Sequence, residues 1–459
     1  MKVLFVNPPV IRSKKSSPEN NFKIDGLIFK PWMKKIKGFC RLYKFLNEKL
    51  WDIRYGVRAG SRWPWTMSVP PGAIHFPFIM AYSASYLKSH GYDVDILDAV
   101  AEEEYNYENF IQKVRREAPD IVVIECSTPT IDIDLWIAKR LSEFTEVALA
   151  GPHLTDETVG EIVENNNFIK YFLKGEYILS SLEMVKTKKP GVYESLVVKD
   201  LDSIPFPFRD YESATKYFDP TMPTPKPQLQ IWGSKGCPYK CTFCMWPRVM
   251  YKGVVSLRKP ENIAREIREC VEKYGYKSIF FDDDTFNLGG EERLSRLCDE
   301  LAKIGLPWTM MGRLDSSPKW IFDKMVDSGC VGMRFGIETF DLQVLKIIKK
   351  GIERINFLET LEYITNKHPH LMIHLTMMKD LPGQTEEIHK KDLEILHNLG
   401  YSPENIYRSY QVASCSPFPG TTLYEELKQE FGKDFLSDYK LYDGSRMTIM
   451  KKINKIKKG

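Results

Sequence analysis

Three cysteines share one short stretch, Gly236-Cys237-Pro238-Tyr239-Lys240-Cys241-Thr242-Phe243-Cys244, with three residues between the first pair and two between the second. The stretch follows an apolar run, Leu229 to Trp232, that reads as a strand. Thiolates this close on one loop can each hold an iron of a four-iron four-sulfur cube. The fourth iron then has no protein donor and is open to a chelating amino and carboxylate group, much as catalytic metal sites keep one position free. The bland alternative is three unconnected cysteines or part of a zinc site. Zinc would need a fourth ligand in a recognisable pair nearby, and the sequence places none there.

With its neighbours, the motif resembles the radical S-adenosylmethionine (SAM) superfamily over about residues 229–425. The resemblance makes Cys237, Cys241 and Cys244 the cluster ligands and catalytic centre, and packs Phe243 near the adenine of SAM. Asp282-Asp283-Asp284, after the run Ser278 to Phe281, stands where the family places an acidic patch that more often reads Gly-Gly-Glu. It implies SAM contacts from Asp283, from Arg313, and from Glu338 of Gly336-Ile337-Glu338. Leu381-Pro382-Gly383-Gln384-Thr385 and Pro417-Phe418-Pro419-Gly420-Thr421-Thr422 look like the family's later turns. As residues alone, the aspartates also fit a solvated strand end or helix cap, Glu338 a cap for a helix near Leu342, and Arg313 a structural ion pair. The turns alone mark strand ends. Cys40, Cys126, Cys270, Cys298, Cys330 and Cys415 are isolated and read as small buried hydrophobes. A second close cysteine set, which the methylthiotransferase relatives carry in their N-terminal domain, is absent from the sequence.

The elements that must position these groups fall into two alternating series. In the first half, strands near Val3–Val6, Val94–Leu97, Ile121–Ile124, Val147–Ala150 and Ile169–Leu173 alternate with helical patterns at 78–89, 107–116, 131–142 and 157–164. That βαβ rhythm predicts a doubly wound parallel sheet whose ligands sit at the carboxyl ends of the strands. After a Pro-rich bridge containing Ile204-Pro205-Phe206-Pro207-Phe208, strands at 229–232, 278–281, 308–311, 332–336, 372–378 and 405–411 alternate with helices at 260–274, 291–304, 318–328, 342–349, 355–367 and 386–399. Six such repeats predict a partial (β/α)6 barrel with its chemistry at the C-terminal strand ends. The expected domains are 1–176, a Rossmann-like domain with an insertion at 10–72; a linker, 177–228; the barrel, 229–425; and a C-terminal extension, 426–459.

An N-terminal domain of this kind fused to the barrel resembles the cobalamin-binding branch of the superfamily. The matching pieces are Asn7-Pro8-Pro9, Gly91-Tyr92-Asp93-Val94, Pro119-Asp120-Ile121-Val122, Gly151-Pro152-His153-Leu154-Thr155 and Lys174-Gly175-Glu176. The resemblance implies a corrin over the sheet edge, near Ser127, Thr128, Gly151, His153 and Gly175. The loop that supplies a cobalt-binding histidine in methionine-synthase-like domains reads Asp98-Ala99-Val100-Ala101-Glu102 here, so cobalamin would bind without that ligand. His153 reads equally as a contact at the cofactor's edge or a plain strand-end histidine, and the small residues equally suit tight turns. A domain that keeps this fold without the cofactor is the alternative.

A hydrophobic fraction of 43% with 27% charged residues predicts packed soluble domains, and a net charge of +4 gives no whole-chain case for nucleic acid. Scattered cysteines fit a reducing compartment, and the apolar runs fall short of the roughly eighteen residues that span a bilayer. A cytoplasmic protein is expected. Between Lys23 and Arg62, eleven Lys or Arg face three acids and are interleaved with aromatics, among them Trp32, Trp51 and Tyr55. The mixture suits peripheral contact of residues 23–65 with the inner membrane face, or an anionic lipid-linked substrate; a solvated helix has the same composition. Arg58-Ala59-Gly60-Ser61-Arg62-Trp63-Pro64-Trp65 resembles a stretch in members of hopanoid and surface-polysaccharide pathways.

The expectation is an enzyme that reductively cleaves SAM to a 5′-deoxyadenosyl radical with an electron from a donor such as flavodoxin or ferredoxin. Its outcome would be cobalamin-dependent C-methylation of a small-molecule or lipid-linked substrate. The alternatives are radical rearrangement, ring contraction or cyclisation, and a non-enzymatic cobalamin-type sensor with a degenerate barrel. No nucleic-acid partner is expected.

Overall fold

Alternate residues of a strand point to opposite faces of its sheet, so a strand covered on both sides must be apolar throughout. β1 (Lys2–Asn7), Lys-Val-Leu-Phe-Val-Asn, is buried from Val3 onward. The computed structural model describes residues 1–9, 11–12, 54–57, 65–67, 73–104, 106–352, 357–442 and 448–458. β2 (Ile11–Arg12), β3 (Arg54–Val57) and β4 (Trp65–Met67) form a small antiparallel sheet. The rest of the basic aromatic segment 23–65 lies outside the described residues, as does Arg58 to Pro64.

The chain divides into two compact units. In the first, β1 pairs in parallel with β5 (Asp93–Asp98) on one side and β6 (Ile121–Glu125) on the other. β7 (Glu146–Gly151), β8 (Tyr171–Lys174) and β9 (Gly191–Tyr193) follow, giving the order β5-β1-β6-β7-β8-β9. The order reverses between β1 and β6, the switch point of a doubly wound sheet. Leu4, Val6, Val122, Ile124, Val147 and Leu149 share one core with Phe110, Ile111, Ile137 and Leu141 of the helices Tyr107–Glu117 and Ile131–Leu141. Phe5 stacks on Tyr177 at 6.4 Å.

Two differences from the sequence reading concern this unit. The boundary expected at Glu176 falls inside it, because helix Ile178–Thr187 and β9 extend the same sheet. β9 has three residues with only Tyr193 buried, too short and too exposed for a periodicity signal. Residues Asp438–Asp443 also belong to this unit.

In the second unit, β10 (Gln228–Ile231), β13 (Ser278–Phe281), β14 (Trp308–Gly312), β15 (Cys330–Glu338), β16 (Met372–Lys379) and β17 (Arg408–Ser414) lie parallel in chain order. This is the partial β/α barrel expected. On the helix-facing side, Trp308 meets Phe281 and Phe286 edgewise or tilted at 5.7 and 5.5 Å. On the other side, Phe280, Met311 and Met372 pack with Met222. Above them, Arg334 pairs with Asp219, and His374 bonds Ser409 at 2.8 Å. β17 begins later than expected because the Asn405 side chain accepts from the Tyr407 and Arg408 N–H groups, a turn that holds the chain back from the ladder. Among the described residues no helix is long and apolar enough to cross a membrane.

Candidate active site

The cysteine loop leaves the C-terminal end of β10, and its base is pinched by two short antiparallel strands, β11 (Ser234–Lys235) and β12 (Ser256–Leu257). Gly236 completes the pinch with φ +87°; a side chain there would place Cβ 2.2 Å from the Val254 carbonyl. Trp246–Met250 then forms a π-helical turn, so the three cysteines are held between a ladder and a turn.

A loop has orphan amides, and here the aspartate triplet satisfies them. Asp283 accepts the Gly233 N–H at 2.8 Å and the Ser234 hydroxyl at 2.6 Å, and Asp284 accepts the Gly236 N–H at 2.8 Å. Thr285 Oγ1 lies 3.5 Å from Cys237 Sγ. Asp283 is fully buried. The carboxylate expected to touch SAM is thus committed to the loop that carries the cysteines. On the carbonyl side, Arg293 donates to Gly233 O at 2.7 Å, and Arg258 donates to Trp232 O at 2.9 Å while paired with Glu266.

Arg313 is also committed locally. It forks onto both oxygens of Asp315 at 2.8 and 2.7 Å, donates to Lys350 O at 3.0 Å, and lies over the Tyr239 ring at 3.5 Å. It therefore fixes the loop residue between Cys237 and Cys241, the structural role open in the sequence. An Arg-x-Asp spacing was the available signal.

Glu338 ends β15 at a bulge with φ +68°, a strained conformation for a non-glycine residue. Its carboxylate bonds the buried Lys350 ammonium at 2.6 Å. Asp341 caps the helix Leu342–Ile347 instead. Gly336 makes room for the pair, since a Cβ there would stand 2.8 Å from Glu338 Oε1 and 3.1 Å from Lys350 Nζ. Burial disfavours the Lys350 charge, but Glu338 and Cys241 outweigh it and hold its pKa above the ordinary lysine value. Burial pushes the Cys241 and Cys244 thiols up, and at Cys241 the Lys350 and Arg313 cations act against that. Lys350 had no local sequence signal. Cys237, Cys241, Phe243 and Cys244 are all half-buried.

In the first unit, the candidate residues meet at the carboxyl ends of β6 and β7. Ser127 bonds Thr130 at 2.8 Å, and Thr128 bonds His153 Nδ1 at 3.1 Å. Gly151 (φ +110°) is dictated by the fold, because a Cβ would lie 2.9 Å from Cys126 O. Gly175 also has positive φ, 53°, where the chain turns into helix Ile178–Thr187. Among the described residues, the Ser180 hydroxyl in that helix is buried without a hydrogen-bond partner. The His153 ring stands edge-on to Tyr439 at 4.7 Å, and burial lowers its pKa to about 3. Asp98, at the loop that lacks a histidine, accepts from Asn7 at 2.6 Å and from the Val100 and Ala101 amides.

Residues 233–395 match the family model described as the Radical SAM superfamily. The chain is 25% identical over 373 residues to an uncharacterized methyltransferase of Pyrococcus horikoshii, covering 76% of this chain and 78% of the relative. It is 22% identical over 431 residues to the cytidylyl-2-hydroxyethylphosphonate methyltransferase of Streptomyces wedmorensis, covering 78% of each. Among solved structures, the radical SAM methyltransferase TsrM of Kitasatospora setae, with cobalamin and a [4Fe-4S] cluster bound, has the same fold at TM-score 0.60 and 15% identity, covering 79% of this chain and 73% of that one.

Two outcomes follow from this geometry. Asp283→Ala strands two buried donors, so it is expected to lower stability in denaturant unfolding of the metal-free protein by about 2–5 kcal/mol, with Asp283→Asn intermediate. His153 binds a proton more tightly unfolded (near 6.5) than folded (about 3), so its contribution is complete above pH 6.5 and is lost as pH falls toward 3. Between pH 6.5 and 5 that loss is about 2 kcal/mol. Denaturant melts of wild type and His153→Phe across this window check it: the variant's dependence on pH is expected to be shallower by that amount.

Proposed function

We propose that this chain, which carries a radical SAM domain, is an enzyme that cleaves SAM reductively and methylates an unactivated carbon of a small-molecule or lipid-linked substrate with cobalamin as methyl carrier. The observation that carries the reading is the set of three thiols on a clamped loop at the C-terminal rim of a parallel barrel, in a chain that also folds a doubly wound sheet.

The residues fit the groups this reading requires. Cys237, Cys241 and Cys244 are soft donors on one loop, and Thr285 bonds the first of them. When bound, the cluster would supply the electron that breaks a carbon–sulfur bond of SAM, and cobalamin would supply the methyl group. The chain's own part is to bind, orient and exclude water. Lys350 and Glu338 offer opposite charges beside Cys241, suited to the carboxylate and ammonium ends of an amino acid chelate. Phe243, next to Cys244, offers a half-buried ring for an adenine. Arg313 and Asp283 position the loop.

At the other edge, Ser127, Thr128, Gly151 and Gly175 present small groups at neighbouring strand ends, and the orphaned Ser180 hydroxyl offers a hydrogen-bond donor to a buried ligand. His153 is neutral, with one ring nitrogen on Thr128 and its ring against Tyr439. It therefore serves as an edge contact, and cobalamin would be held with no histidine from residues 98–102.

The test is anaerobic reconstitution with iron, sulfide and hydroxocobalamin. Wild type is expected to bind about one corrinoid and, with dithionite, to release 5′-deoxyadenosine from SAM. Cys241→Ala is expected to lose the brown chromophore and at least a hundredfold of nucleoside release while keeping the corrinoid. Nucleoside release without corrinoid binding would replace methylation by rearrangement or cyclisation; release that survives the alanine substitution would sink the reading.

A further inference from the structure

A short helix whose following residue bonds the cysteine loop carries two exposed aliphatic side chains. Leu342 is 55% and Ile347 50% exposed on the short helix Leu342–Ile347, with Ile347 lying against Gly383. Exposed leucines alone need no explanation, but here they stand among exposed lysines. Leu342 and Lys346 stand one turn apart on the exposed side of the helix and Lys349 is exposed just past its end, while Val344, Leu345 and Ile348 are buried. Lys240 is exposed on the cysteine loop itself. Among the described residues, Lys240, Lys346 and Lys349 form no ion pair. The nearest acid on the helix, Asp341, is occupied in capping the Gln343 and Val344 amides at 3.0 and 2.9 Å.

This surface is coupled to the cysteine loop by backbone. The Thr242 N–H, between Cys241 and Cys244, donates to Ile348 O at 3.0 Å, one residue past the helix. Lys350, two residues further, is a cation that acts on the Cys241 thiol. Whatever docks on Leu342 and Ile347 is thus one hydrogen bond from the loop that would hold the cluster.

We infer that Leu342, Lys346, Ile347 and Lys349 are the docking surface for an acidic one-electron carrier protein, which reduces the cluster by one electron while its own cofactor is oxidised by one. The inference rests on the radical SAM reading above. An apolar centre gives the contact its burial, and the uncompensated lysines complement an acidic partner and speed its encounter in a salt-dependent way.

The probe is a bacterial flavodoxin in its hydroquinone form, compared with dithionite, which needs no docking surface. For Lys346→Glu combined with Lys349→Glu, and separately for Leu342→Gln, flavodoxin-driven release of 5′-deoxyadenosine is expected to fall at least tenfold, with the dithionite-driven rate within twofold of wild type. Raising ionic strength should suppress the wild-type flavodoxin rate and spare the dithionite rate. Equal flavodoxin-driven rates in wild type and variants would overturn the inference, as would an equal fall with both reductants. Should wild type release no nucleoside with either reductant, the catalytic reading fails, and binding decides the docking claim. Immobilised flavodoxin retains wild type at low salt and loses the double variant if the surface is right, and retains both if it is wrong.

Discussion

The candidate chemistry depends on carboxylates at the end of one strand satisfying backbone N–H groups at the end of its neighbour. β10 and β13 are paired in parallel, so Gly233 and Asp283 emerge side by side. A loop leaving β10 must turn sharply, exposing the amides of Gly233 and Gly236 to a buried rim where water cannot satisfy them. Asp283 and Asp284 meet those donors with charge, which makes the bonds roughly twice as strong as neutral ones. The thiols can then be presented by a loop whose own side chains are free for other work.

Arginines hold the same loop from the opposite direction. Arg293 and Arg258 bind the carbonyls of Gly233 and Trp232, and Arg313 covers Tyr239 between two cysteines. Most of the buried charge near the loop is therefore structural, and each cation has a carboxylate or carbonyl partner, as burial requires. Lys350 differs from these in standing beside a thiol as well as a carboxylate. Its charge is the one that a thiolate-held group and a carboxylate-bearing ligand would both feel.

How much of this could be read in the sequence depends on how far apart the partners lie. The cysteines were legible because their geometry is local, fixed by spacing on one loop. The strands of both sheets were legible because burial on two faces writes long apolar runs. Asp283 was visible as an acid but not in its role, since its partners are about fifty residues away and are backbone and hydroxyl groups. Lys350 left no mark, for one lysine after a helix reads as solvated until the fold buries it. β9 failed for want of length, and the onset of β17 because Asn405 bonds its own backbone. The family resemblance supplied ligand contacts for Asp283, Arg313 and Glu338, but only the fold could show that the first two are committed to the loop and the third to Lys350.

The two strand edges also differ in how they treat histidine and charge. At the β6–β7 edge, His153 is sealed in, neutral, and held by a hydroxyl and an aromatic ring from far along the chain, Tyr439. A proton there costs stability. A histidine so placed is a fixed part of the packing at this edge. At the barrel rim the opposite holds: Glu338 accepts a strained backbone to put its carboxylate on Lys350, and Gly336 forgoes a side chain to leave both groups space. Strain and space are here concentrated on one buried ion pair that acts on the Cys241 thiol.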